Sequence, residues 1–286
     1  MSLSADEASA LAALSDSLES TRIRLEEDPH FTLQAKSQVR SHPLLAALAG
    51  RIQKSMTEAG YCVISFAALA EYVDLLADQT VITALLSAIG TPILIFEDWP
   101  IWKPIVTKPE IEPWRAGGVG YIPLHMDFVN CEFPPEYVGL FCLIEDSEGG
   151  GNSIVASMTE AVQRLSDHDK EVLSQRTFVD GKVVNLRHVG CDVNPFAILS
   201  SDGKWPVRFT AKMIPRIEDP IQKRAAEALD KNLRQCETTF PLCRFELLLV
   251  DQRQVVHGRA PLAGDQANIP APNRRLLRQL FLRADQ

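Results

Sequence analysis

Three residues of metal-binding types occur in positions that could bring them together. His125 and Asp127 lie two residues apart in the segment 121–127. If that segment is a β-strand, side chains at this spacing share one face of it. His257 follows a hydrophobic run and is the best candidate for a second imidazole. Two imidazoles and one carboxylate can bind an octahedral divalent metal and leave three positions open for co-substrate and O2.

A His-x-Asp tripeptide alone is weak evidence, because such residues are common as surface or hydrogen-bonded pairs. The other four histidines are poorer ligand candidates, since they lie in polar, helix-start or loop segments: His30, His42, His168 and His188. The triad interpretation therefore depends on the elements that carry it.

The first third of the chain has the pattern of a helical N-terminal layer, over residues 1–90. Ser4 and Glu7 form a capping-box pattern at the start of the first helix. Pro43 lies in the first turn of a later helix that ends at Gly60, and a short buried strand follows it. Two further helices are predicted over 67–76 and 79–90, the second closed by Gly90.

Residues 91–286 have a mainly β pattern, with helices predicted after Ser157 and Asp219. The helical insertion and lid fall at about 175–240. Because no repeat or linker divides the chain, we predict a single domain, 1–286: a mainly β jelly roll with α additions. Strands do not alternate regularly with helices, which argues against a Rossmann-type sheet. The predicted strands are 93–96, 138–144, 153–156, 244–250, 254–256 and 276–282.

The composition excludes several classes of function. Hydrophobic residues make up 46% of the chain and charged residues 23%, which argues against disorder. A net charge of −8 argues against nucleic acid as the main partner. Neither a signal peptide nor a membrane-spanning stretch is apparent, so we expect no membrane association and a cytoplasmic location. The six cysteines are scattered without a Cys-x-x-Cys pattern, and we expect them to be reduced.

Five segments in a fixed order together carry a family resemblance. They resemble the clavaminate synthase-like branch of the TauD/clavaminate synthase oxygenases, which are Fe(II)- and 2-oxoglutarate-dependent dioxygenases. The "VVHGR" run and the Gly-Gly-x-Ser element are the most specific parts. The family has a double-stranded β-helix fold, in agreement with the predicted jelly roll. The segments are 120–127, 134–144, 149–158, 250–259 and 274–278.

The resemblance implies a role for six residues. Its iron ligands correspond to His125, Asp127 and His257. Ser153 and Arg274 match the residues that hold the distal carboxylate of 2-oxoglutarate, which a guanidinium can bind in a bidentate manner. Arg278 matches a second arginine that, in several relatives, holds an acidic group of the substrate.

The C-terminal arginines leave an alternative open. The spacing from His257 to Arg274 is a few residues longer than usual in the family, so the roles could fall differently among Arg274, Arg275 and Arg278. Strand parity groups Arg274 with Arg278 and separates Arg275. Without the upstream motifs, these residues would simply form a basic surface.

The resemblance implies hydroxylation of a small carboxylate-bearing substrate, most simply a free amino acid or derivative, with Fe(II), 2-oxoglutarate and O2. Desaturation or cyclisation would use the same oxidant, whereas Asp127 argues against halogenation. Two alternatives remain: a taurine-type oxygenase that acts on a sulfonate or other small anion, and a non-oxidative jelly-roll metal-binding protein. The segments 115–120 and 187–195 are expected to form lids.

Overall fold

The structure is a computed structural model that describes residues 1–18, 29–96, 99–181, 194–201 and 203–285. Within these ranges the chain is mainly β with helices, as predicted. The helices are α1 (Ala5–Leu18), α2 (Pro29–Ser41), α3 (Pro43–Ala59), α4 (Thr80–Ser87), α5 (Met158–Gln163), α6 (Asp167–Leu173) and α7 (Pro220–Gln235). The strands are β1 (Tyr61–Ser65), β2 (Gly90–Ile93), β3 (Lys103–Val106), β4 (Ile122–His125), β5 (Tyr137–Ile144), β6 (Ser153–Ser157), β7 (Glu237–Phe240), β8 (Glu246–Asp251), β9 (Val255–Arg259) and β10 (Leu276–Ala284).

The strands form two antiparallel sheets. The larger has the order β1-β8-β5-β10-β2, with β3 also paired to β10, and the smaller has the order β4-β9-β6-β7. Hydrophobic side chains from both sheets form one buried cluster, so the sheets pack face to face. We call the space between them the sheet interior; its residues include Val138, Val155, Leu248, Leu277 and Phe281.

Helices α1 to α4 form a layer on the outer face of the larger sheet, where Leu280 and Leu282 of β10 join their hydrophobic core. The predicted capping box is present: the Ser4 amide donates to Glu7 (2.9 Å), and the Glu7 amide donates to the Ser4 hydroxyl (3.2 Å). Gly60 ends α3 with a φ of 74°, a conformation in which a side chain is strained.

Helices α5 to α7 cover the outer face of the smaller sheet. Ser157 accepts from the Glu160 amide at the start of α5, and Asp219 accepts from two amides at the start of α7. Both helix starts are therefore those that the sequence predicted. The layer contributes to the site through a 3-10 helix, Ala211–Arg216, that packs against β4.

Several local predictions were wrong. Residues 67–76 contain only a short 3-10 helix, Leu69–Glu71, and Gly90 begins β2 instead of closing a helix. The sequence missed α2, β3 and β7. Strand β3 contains Pro104, which is tolerated because β3 lies at a sheet edge.

Among the five cysteines that the structure describes, one differs from the expectation; Cys191 lies outside the described residues. Cys62, Cys142, Cys236 and Cys243 are free, as predicted. Cys131 is disulfide-bonded, so the expectation that every cysteine is reduced is wrong there. Across the described ranges, none of the helices combines the length and apolar character that crossing a membrane requires.

Candidate metal centre and co-substrate pocket

Antiparallel pairing of β4 and β9 brings the two predicted histidines together. His125 and His257 are directly opposite each other in the register, with ring centroids 4.5 Å apart. Asp127 lies just beyond β4; its carboxylate oxygens are 3.7 Å from Nε2 of each histidine. One potential ligand atom from each residue lies within 4.8 Å of the others. The two imidazoles and the carboxylate are therefore close enough to bind one metal ion.

Neighbouring groups hold two of the three side chains, His125 and Asp127, in place. Nδ1 of His125 lies 2.8 Å from the Pro123 carbonyl oxygen, which leaves Nε2 free to face Asp127. The buried Gln252 accepts a hydrogen bond from the Asp127 amide, and its own amide group donates to the Pro135 carbonyl. Gln279 donates to Oδ2 of Asp127 across 3.2 Å. Such contacts orient a ligand before the metal binds.

Electrostatics favours neutral imidazoles. Burial lowers the pKa of His125 well below its usual value, and the positive charge of Lys212 adds to this effect. Burial also lowers the pKa of His257, which the Asp127 carboxylate only partly opposes. A neutral imidazole can donate its lone pair to a metal, so these shifts extend ligand capacity to lower pH. The donor set of two nitrogens and one carboxylate fits Fe(II).

The residues of β10 that point into the sheet interior are not the ones that the sequence predicted. Leu277 and Phe281 point into the sheet interior, whereas Leu276 and Leu280 join the helical layer. Odd-numbered residues therefore share the face of Gln279, which contacts Asp127. The prediction that Arg274 and Arg278 face the metal is wrong in register by one residue.

Three arginines consequently have different surroundings. Arg274 is partly exposed and donates to the carbonyl of Ile269. Arg278 points to the helical layer, where it donates to the Trp102 carbonyl across 3.4 Å. Arg275 is buried, only 5% exposed. Burial lowers its pKa, and within the described parts of the chain its side chain has neither a hydrogen bond nor an ion pair.

The glycine turn lies beside Arg275, and Ser153 follows that turn at the start of β6. Ser153 is buried and has the same strand parity as Val155, which belongs to the sheet interior. Gly151 has a φ of 71°, and a Cβ there would lie 3.2 Å from Nε of Arg275. The positive φ strains any side chain at this position, and a Cβ would also crowd Leu262 and Arg275. The turn therefore makes room for a buried cation.

Arg259 has a structural position next to Ser153. It lies opposite Ser153 in the register and donates to the carbonyls of Gly118 and Gly120. Burial, with a smaller effect from the positive charge of Arg275, lowers its pKa to about 10. Arg259 thus attaches one predicted lid segment, 115–120, to β9. The other, 187–195, lies almost entirely outside the described residues.

Sequence reasoning missed four residues near the metal centre. Gln252 and Gln279 contact Asp127, and Lys103 and Lys212 lie close enough to it that its charge raises their pKa values against the larger effect of burial. Two sequence patterns could have pointed to them: a glutamine, Gln252, that follows a buried strand, and a lysine, Lys103, at the start of a Pro-containing strand. Neither pattern is specific to metal sites.

The fold and the triad define a class: a metal-dependent enzyme built on two facing antiparallel sheets. Residues 107–280, more than half of the chain, match the model of the family described as "Taurine catabolism dioxygenase TauD, TfdA family". The chain belongs to this family of dioxygenases, which confirms the resemblance seen in its motifs.

Solved structures show the same fold. An asparagine oxygenase in complex with Fe(II), 2S,3S-3-hydroxyasparagine and succinate has a TM-score of 0.77 and 18% identity, covering 99% of this chain and 92% of its own. The non-heme iron oxygenase OrfP, in complex with Fe, succinate and (3S)-hydroxy-L-Arg, has a TM-score of 0.73 and 18% identity, covering 99% and 94%. OrfP has also been crystallised with Fe and alpha-ketoglutaric acid, with a TM-score of 0.70. A comparison with curated protein sequences finds no match.

Proposed function

We propose that the chain is an Fe(II)- and 2-oxoglutarate-dependent dioxygenase that hydroxylates a small carboxylate-bearing substrate, a free amino acid or derivative. His125, Asp127 and His257 hold the iron. Arg275, in place of Arg274, holds the distal carboxylate of 2-oxoglutarate together with Ser153. We further propose that the two sheets form the double-stranded β-helix of a single domain spanning 1–286.

The observation that carries the proposal is the unpaired, buried guanidinium of Arg275. Burying a cation without a counter-charge is costly, so the protein gains if a ligand supplies the anion. A structural arginine in the same region, Arg259, bonds to carbonyl groups. Arg275 has no such bonds in the described chain, and it immediately precedes β10, with the same alternation as Leu277 and Gln279 on the interior face.

Each of these residues has its own role in the proposed reaction. When iron and 2-oxoglutarate are bound, oxidative decarboxylation to succinate and CO2 activates O2, and one oxygen atom enters a substrate C–H bond. Arg275 and Ser153 fix the far carboxylate, so the 2-oxo end is directed toward the triad. Gln252 and Gln279 keep Asp127 in position, and Arg259 holds the segment 115–120 over the pocket, where it limits the entry of water.

The substrate class is supported by the relatives. The asparagine oxygenase and OrfP structures contain hydroxylated amino acids. Their identity to this chain is 18%, so they support the class of substrate and do not name the amino acid. A cytoplasmic location and the absence of nucleic-acid and membrane partners remain predictions.

An activity assay tests the proposed function. Purified protein with Fe(II), 2-oxoglutarate and O2 is incubated with a library of amino acids, and succinate and hydroxylated product are quantified. We expect one succinate per product hydroxyl group, with labelled oxygen from O2 in the product. Asp127→Ala serves as the inactive control. Iron binding without 2-oxoglutarate binding or succinate formation would instead identify a non-oxidative metal-binding protein.

A further inference from the structure

Two lysines beside the metal centre take no part in the proposed chemistry of iron and 2-oxoglutarate. Lys103 is the first residue of β3, and Lys212 belongs to the 3-10 helix Ala211–Arg216. They reach the site from different layers, Lys103 from the larger sheet and Lys212 from the segment that follows the bridge between His125 and Thr210. Both lysines are partly buried.

The register fixes the direction of Lys103. It is directly opposite Gln279 in the β3–β10 pair, and residues opposite each other in a sheet point to the same face. That face is the sheet interior, because Gln279 donates to Asp127 there. The ammonium group lies over the ring of Phe96, 3.7 Å from its centroid, and Phe96 packs against Phe128, the residue that follows Asp127.

Neither lysine forms an ion pair with a residue that the structure describes. In the parts of the chain that the structure describes, no carboxylate lies within 4.0 Å of either ammonium group. Burial lowers the pKa of both lysines, and the negative charge of Asp127 is the largest effect in the opposite direction for each. Once Asp127 binds a metal its charge is shared with that ion, so Lys103 loses the one charge that opposes the effect of burial on it, while Asp180 still opposes that effect on Lys212.

The charges of bound Fe(II) and 2-oxoglutarate do not balance the positive charges of the lysines. Fe(II) and the 2-oxoglutarate dianion cancel each other, and the distal carboxylate of the latter is held by Arg275. Lys103 in particular is left with uncompensated positive charge beside the metal centre. A partly desolvated ammonium group without an anionic partner is stabilised by an incoming anion.

We propose that Lys103 binds a carboxylate of the substrate, with Lys212 as a second cation beside the triad. The proposal rests on the proposed function and deepens it: the substrate is recognised as an anion by lysine, not by Arg278, which faces the other side of β10. Lys103 is thus a residue that determines specificity.

A binding experiment tests this proposal without turnover. Anaerobic protein saturated with Fe(II) and 2-oxoglutarate is titrated calorimetrically with the proteinogenic L-amino acids, the matching amino-acid amides and taurine. We expect at least one amino acid to bind more tightly than its amide. Lys103→Met should weaken that binding about tenfold or more, since a charge-assisted hydrogen bond is lost. Lys103→Arg should retain part of it, and Lys212→Met should have a smaller effect.

The controls separate binding from folding. Lys54→Met removes an exposed lysine far from the site and should change nothing. Iron content, 2-oxoglutarate affinity and the midpoint of thermal unfolding should be unchanged in Lys103→Met, and Lys103→Gln replaces it if that variant is unstable. If Lys103 had only a structural role, Lys103→Met would instead lower the unfolding midpoint and leave the preference for acid over amide intact.

Several results would overturn the proposal. These are equal binding of the acid by wild type and Lys103→Met, equal binding of acid and amide by wild type, and no binding across the panel. A preference for taurine over every carboxylate would reassign the anion to a sulfonate and refute the carboxylate. If the protein binds neither Fe(II) nor 2-oxoglutarate, the proposed function itself fails, which the loading step detects separately.

Discussion

Two arginines near the start of β10 lie on opposite sides of the chain and are bonded differently: Arg275 immediately precedes the strand, and Arg278 lies within it. On the interior face, Arg275 is buried beside the glycine turn without a protein partner in the described residues. On the outer face, Arg278 lies against the helical layer and donates to the Trp102 carbonyl. The contrast shows that charge alone does not mark a ligand site. A buried cation that the protein does not pair is the better marker.

The faces also differ in what surrounds the arginines. The interior face continues to Gln279 and through it to Asp127, so its polar residues connect to the metal centre. The outer face continues to Leu280 and Leu282, which are fully buried in the helical layer. Changes on the interior face should therefore affect ligands, and changes on the outer face should affect stability.

The largest effect is expected at the metal ligands. His257→Ala and His125→Ala should each abolish detectable iron binding and turnover, because a three-ligand site that loses one protein donor no longer holds the metal. Iron content after desalting and succinate formation measure this. His168→Ala, an exposed histidine on α6, is the matched control and should behave as wild type. Full iron content in either ligand variant would refute the triad.

A pair of leucine truncations tests the difference between the two faces. Leu280→Ala, on the outer face, should lower the free energy of unfolding by about 2–5 kcal/mol while the KM for 2-oxoglutarate stays unchanged. Leu277→Ala, on the interior face, should lower stability similarly but also raise that KM. Denaturant unfolding and steady-state kinetics measure the two effects. A raised KM in Leu280→Ala alone would reverse the assignment of faces.

The next prediction distinguishes the roles of two adjacent arginines, Arg274 and Arg275. Arg275→Ala should raise the KM for 2-oxoglutarate by roughly 10- to 100-fold, since it removes a charge-assisted bidentate contact. Arg275→Lys should recover only part of the affinity, because an ammonium lacks the fork geometry. Arg274→Ala should leave the KM unchanged. If the phenotypes of the two alanine variants are exchanged, Arg274 and not Arg275 holds the co-substrate.

The smallest effect is expected at Arg278. Arg278→Ala should change the free energy of unfolding by about 1 kcal/mol or less, since one hydrogen bond to a carbonyl is lost. Its KM values for 2-oxoglutarate and for the substrate should match those of wild type. A tenfold rise in the substrate KM would restore the role that the sequence motif assigned to Arg278.

Local signals in the sequence predicted the elements well where one residue type decides the geometry. The Ser4 and Glu7 capping box, the glycine that ends α3 and the Asp219 cap of α7 all occur as predicted. Strands β5, β6 and β8 were identified from hydrophobic runs. The sequence missed α2 and β7, whose residues are largely polar, because packing rather than pattern stabilises them.

By itself, the sequence determined the types and spacing of the metal-binding residues and the family to which the chain belongs. Because side chains alternate along a strand, the sequence shows that every second residue of β10 shares a face. It does not show which set of residues faces the sheet interior; this choice, the phase of the alternation, had to come from tertiary structure. Both faces of β10 are buried, so its run of Leu276 to Leu282 shows no polar alternation that tells interior from exterior. Packing of Leu280 into the helical layer decided the phase, and the proposal that Arg275 and not Arg274 holds the co-substrate follows from it.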